Sequence, residues 1–133
     1  MNAPSDKPAC PCGLAAAYID CCGRYHPGGA SALQAPDAAA LMRSRYTAFV
    51  LGLADYLLAT WHPRTRPATL IIDEPGLKWL GLEVRRSGMT GPLSAEVEFV
   101  ARSKQAGRAH RLHELSRFEC LDGRWYYVDG DLR

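Results

Sequence analysis

The chain lacks a strong charge excess, a long apolar run and any internal repeat. Its 16 basic residues nearly balance its 14 acidic ones, for a formal net charge of +2. That excess is too small to announce a nucleic-acid or membrane partner by charge alone. No apolar run approaches the roughly 18 residues of a membrane span, so no membrane association is expected. The opening residues MNAPSDKPAC lack the charged-then-apolar pattern of a secretory signal. The expected location is therefore cytoplasmic, where stable disulfides are rare. The redox spacing C-x-x-C is also missing. What remains is 133 residues, 47% hydrophobic and 23% charged, the make-up of one globular domain with a small appended module.

Against that background the sulfur stands out. Four of the five cysteines and one of the four histidines lie in CPCGLAAAYIDCCGRYH, residues 10 to 26. The spacing is C-x-C-x8-C-C, from Cys10, Cys12, Cys21 and Cys22, with His26 four residues further on. Thiolate and imidazole are the donors that close a tetrahedral zinc site. Pro11 fixes φ between the first two cysteines, and Gly13 permits a sharp turn around an ion. Residues 14 to 21 are expected to make about two helical turns that bring Cys21 back to the ion. Adjacent side chains diverge, so Cys22 joins Cys21 on one ion only if the backbone bends between them. His26, sharing a helical face with Cys22, is the alternative fourth ligand.

The stretch resembles the SEC-C motif, the zinc-binding segment also found at the C-terminus of the translocase ATPase SecA, with pattern CPCGSGKKYKKCCG. CPCG at 10 to 13, Tyr18 and CCG at 21 to 23 match. The resemblance implies a structural Zn2+ held by Cys10, Cys12, Cys21 and Cys22, with His26 a neighbour. The pattern's Ser-Gly-Lys-Lys is Leu-Ala-Ala-Ala here, residues 14 to 17, and Asp20 replaces a basic residue. Those missing cations would face an acidic partner.

Further along, PGGASALQAPD (27 to 37) reads as a loop. Asp37 is a good N-cap for a helix running to about Gly52, with Met42, Tyr46, Phe49 and Leu53 along one apolar face. Asp55 is expected to cap a second short helix through Tyr56, Leu57 and Trp61, stopped by His62-Pro63. The period then changes to two. LSAEVEFVARS (93 to 103), HRLHELSRFEC (110 to 120) and RWYYVD (124 to 129) alternate as strands, KWLGLEVRR (78 to 86) is a fourth, and TLIID (69 to 73) a short fifth. Asp122-Gly123 predicts a type I′ hairpin turn. Helices followed by antiparallel strands make an α+β fold. The turn pairs Leu121 with Arg124, Cys120 with Trp125, Phe118 with Tyr127 and Ser116 with Asp129. One strand face then runs from aromatic residues to Ser116, Asp129, Glu114 and His110, which describes a cavity with a polar end. Cys120 is expected to be a small buried hydrophobe opposite Trp125.

The segments LMRSRYTAFVLGLADYLLATWHP (41 to 63) and HELSRFECLDGRWYYVDG (113 to 130) resemble the two signatures of the bacterial YchJ family. That family joins an N-terminal SEC-C motif to an NTF2-like domain, here 1–28 and 29–133. The resemblance implies an NTF2-like cone, with N-terminal helices packed on a curved, mostly antiparallel sheet. It implies a fold and a metal site but no reaction.

Three functions follow as expectations. The first is a protein-interaction or adaptor module, linked through the SEC-C resemblance to secretion or translation. Its discriminating surface lies near Leu14, Tyr18 and Arg24. The second is a small-molecule-binding protein, or an isomerase- or dehydratase-like enzyme, using a pocket of Tyr46, Trp61, His62, Glu114, Ser116 and Asp129. A carboxylate in apolar surroundings is what such chemistry needs. A zinc closed by four thiolates has no open position for water, and no nucleophile–base pair is visible, which leans against an enzyme. The third is nucleic-acid binding through Arg102, Lys104, Arg108 and Arg111, which the near balance of charge argues against.

Overall fold

The computed structural model of the chain describes residues 8–72 and 74–133. Helix α1 spans Ala38–Leu51. It begins where Asp37 accepts a hydrogen bond from the Ala40 amide at 2.8 Å, satisfying one of the donors orphaned at a helix start. It ends at Gly52, whose left-handed φ of 75° suits a residue without a Cβ. Both boundaries are those the sequence predicts.

Helix α2, Ala54–Ala59, is shorter than expected, and its N-cap is Leu53 rather than Asp55. Asp55 sits in the first turn, where a negative charge still suits the helix dipole. Trp61 is outside the helix because its backbone is taken by the sheet. It forms a parallel bridge to Tyr127. The His62 amide donates to the Tyr127 carbonyl at 2.7 Å, and the Tyr127 amide to the Thr60 carbonyl at 2.9 Å.

Four strands follow: β1 Lys78–Gly91, β2 Ser94–Gln105, β3 Arg108–Leu121 and β4 Arg124–Leu132. They form one antiparallel sheet in the order β1-β2-β3-β4. Residues 69–72 are not a strand; Leu70 and Ile72 pack on the core from an irregular stretch. Asp73, the rest of that expected strand, lies outside the described residues. The β3–β4 turn has positive φ at Asp122 (53°) and Gly123 (81°), as a type I′ turn requires.

The hairpin register agrees with the sequence from Leu121–Arg124 through Cys120–Trp125 to Phe118–Tyr127, and then departs. A bulge puts one extra residue, Val128, into β4, so Arg117 opposes Asp129 and Ser116 opposes Gly130. One inserted residue reverses which side chains face the core. Asp129 therefore leaves the face of Ser116. It meets Arg117 Nε at 2.6 Å on the outer face, where Asp131 also receives Arg117 at 2.8 Å.

The core lies between α1, α2 and the inner face of the sheet, with Leu41, Met42, Tyr46, Tyr56, Leu57, Val97, Phe99 and Phe118 buried. Cys120 lies opposite Trp125 as expected, but is half-buried rather than buried. Helix α1 is enclosed on more than its apolar stripe. Ser44, Arg45 and Thr47 are buried too. Replacing Asp37 with Ala is expected to cost about 1 kcal/mol in urea unfolding through loss of the cap; an unchanged midpoint would contradict the capping role.

Candidate metal centre and inner cavity

Residues 8–26 fold around sulfur, not around a core of their own. The Cys10 amide bonds back to the Ala16 carbonyl at 2.9 Å, beside an antiparallel bridge of Ala9 to Ala17. The expected two helical turns over 14 to 21 do not form. Instead one 3-10 turn covers Tyr18–Asp20 and a second covers Cys22–Arg24. Between them Cys21 takes φ −128° and ψ −117°. That kink is the bend needed for two adjacent cysteines to face one point.

The four sulfurs of Cys10, Cys12, Cys21 and Cys22 all lie within 4.8 Å of one another. Cys12 and Cys21 approach to 3.6 Å. A tetrahedron with metal–sulfur bonds near 2.3 Å has edges of about 3.8 Å, so the cluster has the size of a four-thiolate ion site. None of the four cysteines exceeds 5% exposure. Packed this closely, the thiols shift one another's acidity in opposite directions. A hydrogen bond from Cys22 pulls the Cys12 thiol far down. Burial pushes Cys21 up, and the bond to Cys12 pushes Cys22 up. Thr47 Oγ1 lies 3.8 Å from Cys10 Sγ, and Arg43 Nη1 donates to the Cys12 carbonyl at 3.2 Å. Such partners orient metal ligands.

His26 is outside the cluster, and both of its nitrogens are occupied. Nε2 donates to the Ser44 carbonyl at 2.8 Å, which leaves Nδ1 to accept from the Tyr18 hydroxyl at 2.6 Å. Burial pushes its pKa below that of an ordinary imidazole, which favours the neutral ring. Its edge meets the Tyr56 ring at 4.6 Å. His26 is thus a peg between the cysteine knob and α1.

The second feature is a cavity of about 320 Å³ between α1, the inner sheet face and the stretch around residues 70–77. Of the predicted pocket residues, Tyr46, Trp61, Glu114 and Ser116 line it. His62 and Asp129 do not. His62 turns away, its Nδ1 accepting from the Arg64 amide at 3.0 Å and its Nε2 lying 3.3 Å from Glu119. Asp129 is carried out by the bulge. His110, on the same strand as Glu114, lies at the exposed end opposite Ser103. Ser116 Oγ donates to Glu114 Oε2 at 2.5 Å, and the Tyr127 hydroxyl lies 3.4 Å from the same oxygen.

Sequence reasoning missed Arg45. It is 5% exposed, with Nη1 donating to the Leu57 carbonyl at 2.8 Å and to Thr60 Oγ1 at 2.6 Å. Its guanidinium lies over the rings of Tyr127 at 4.7 Å and Trp61 at 5.2 Å. Burial lowers its pKa to about 10, so it stays charged at neutral pH. The available signal was a cation one turn from aromatic residues on an apolar helix, which reads equally as a solvated face. The Trp61 indole N–H has no hydrogen-bond partner among the described residues. The basic residues near the β2–β3 tip are exposed, with Arg102 directly opposite Arg111 and shared with Glu83 at 3.8 Å.

Residues 37–130 match a family model described as YchJ, middle NTF2-like domain. A UPF0225 protein of Bordetella parapertussis is 62% identical over 130 residues, covering 98% of this chain and 97% of the relative. One of Chromobacterium violaceum is 58% identical over 131 residues, 93% of each. Among solved structures, a SEC-C motif containing protein from Rhodopseudomonas palustris superposes with a TM-score of 0.79 at 34% identity, over 92% of this chain and 96% of that one. A sec-c motif containing protein from Psychrobacter arcticus gives 0.74 at 32%, over 100% and 77%. A SEC-C cysteine cluster on an NTF2-like domain is the make-up of a metal-binding protein. No helix among the described residues is long and apolar enough to cross a membrane.

Two outcomes follow from this geometry. His26→Ala is expected to keep the metal but lower stability by about 1–3 kcal/mol, because a buried carbonyl and hydroxyl lose their partner; metal loss in elemental analysis would make His26 a ligand. Metal binding at neutral pH is expected to release protons from Cys21 and Cys22, whose thiols are shifted up, so apparent affinity weakens as the pH is lowered. Calorimetry in buffers of different ionisation enthalpy reads this release, and a proton-neutral reaction would contradict it.

Proposed function

The chain belongs to the YchJ family, and from that premise we propose that it is a binding protein whose SEC-C knob is fixed by a structural zinc ion and presented to a protein partner. The observation that carries the reading is the sealed set of four thiols, Cys10, Cys12, Cys21 and Cys22. Four soft donors at tetrahedral spacing favour zinc over the hard cations magnesium and calcium, which take oxygen. Four protein ligands leave no position for water or substrate, so the ion supplies shape and not catalysis.

The partner surface is the outer side of the knob. Leu14 is 47% exposed and Ile19 61%, large apolar groups on a segment with little apolar interior of its own. Leu14 and Ile19 stand where the SEC-C pattern has a serine and a lysine. The surface therefore suits an apolar patch on a partner better than an acidic one.

Native mass spectrometry of freshly purified protein is the test of the ion. One zinc per chain is the expected mass; metal-free protein with intact, reduced cysteines would overturn the reading. For the partner, crosslinking in lysate is expected to capture a protein with the wild type and not with a Leu14→Asp/Ile19→Asp variant that keeps its zinc. Equal capture by both would remove the surface.

A further inference from the structure

The inner cavity contains two fixed charges that do not touch. Arg45 comes from α1, and among the described residues it forms no ion pair. Nη1 is engaged by Leu57 and Thr60, but no described residue accepts from Nε or Nη2. Arg45 is one of the residues that line the cavity. Glu114 comes from β3, its Oε2 held by Ser116 and Tyr127. Tyr127 touches both groups, its ring 4.7 Å from the guanidinium and its hydroxyl 3.4 Å from the carboxylate.

The carboxylate lies where it does because of Gly130. A Cβ at that position would overlap the Glu114 carboxylate. The bulge at Val128 is what brings Gly130, and not Asp129, opposite Ser116. The same irregularity thus removes one acid from the cavity and makes room for another. Among the described lining residues the other acid, Glu74, is exposed, so water screens it.

Among the described residues the charges of Arg45 and Glu114 at the inner end cancel. A net charge on a ligand would lose its hydration there and find no net counter-charge. A neutral ligand meets both groups if it offers an acceptor to the Arg45 side and a donor to Glu114. The walls between are flat aromatic surfaces, including Tyr46, Phe49, Trp79 and Phe99.

We propose that the cavity is a binding site for a small, uncharged, planar aromatic molecule carrying a carbonyl oxygen beside an N–H, the aromatic lactam or amide class. The carbonyl accepts from Arg45, the N–H donates to Glu114, and the ring stacks against the aromatic walls.

The test uses three probes on one skeleton: 2-quinolone, quinoline-2-carboxylate and 2-(aminomethyl)quinoline. Each is titrated calorimetrically into the full-length, metal-loaded protein, with saturation-transfer NMR to detect weak contact. The lactam is expected to bind wild type at least tenfold tighter than either charged analogue. Glu114→Gln keeps the shape and removes the negative charge, so preference is expected to move to the carboxylate. Gly130→Ala, which displaces the Glu114 carboxylate, is expected to weaken the lactam without reversing the order. The proposal is overturned if wild type prefers a charged probe, if none of the three binds, or if Glu114→Gln leaves the ranking unchanged.

Discussion

The structure depends on four thiols converging on one point against the side of α1. The segment that carries them has almost no apolar interior; its own Tyr18 and, from β1, Leu82 pack beside the sulfurs. Closely packed buried thiols without an ion hold little attraction for one another. An ion that replaces their protons converts the cluster into the source of the knob's stability. Metal binding and the folding of residues 8–26 are then one process.

The knob in turn completes α1. A helix with Ser44 and Thr47 on a buried face would be unfavourable against a plain apolar wall. Here the knob supplies their surroundings: Cys10 faces Thr47, and His26 takes the Ser44 carbonyl. Ser44 Oγ bonds the Tyr56 hydroxyl at 2.7 Å, which carries the same network into α2. On another side of the helix, Arg45 and Tyr46 reach the cavity. The helix is therefore shared between metal centre and cavity, with Ser44 and Arg45 adjacent in sequence and facing different neighbours.

Much of this was legible in the sequence, because the signals are local. Asp37 and Gly52 bracket α1 by cap chemistry. Asp122-Gly123 sets the hairpin turn and its first three matched pairs. The cysteine spacing points to a metal. What was hidden depends on contacts distant in sequence. The Val128 bulge has no local marker, yet it moves Asp129 to the outer face and frees Gly130 for Glu114. His26 looks like a ligand until α1 presents the Ser44 carbonyl to it. Arg45 looks solvated until Leu57, Thr60, Trp61 and Tyr127 surround it. Leu70 and Ile72 alternate like a strand but face the core without a partner strand.

Hydrogen exchange read by mass spectrometry, before and after the ion is stripped by a chelator under reducing conditions, tests the dependence most directly. The account predicts that residues 9–26 lose protection together with α1, while the paired strands β2 and β3 keep theirs. Unchanged protection across the knob and α1, after verified loss of the metal, would contradict it.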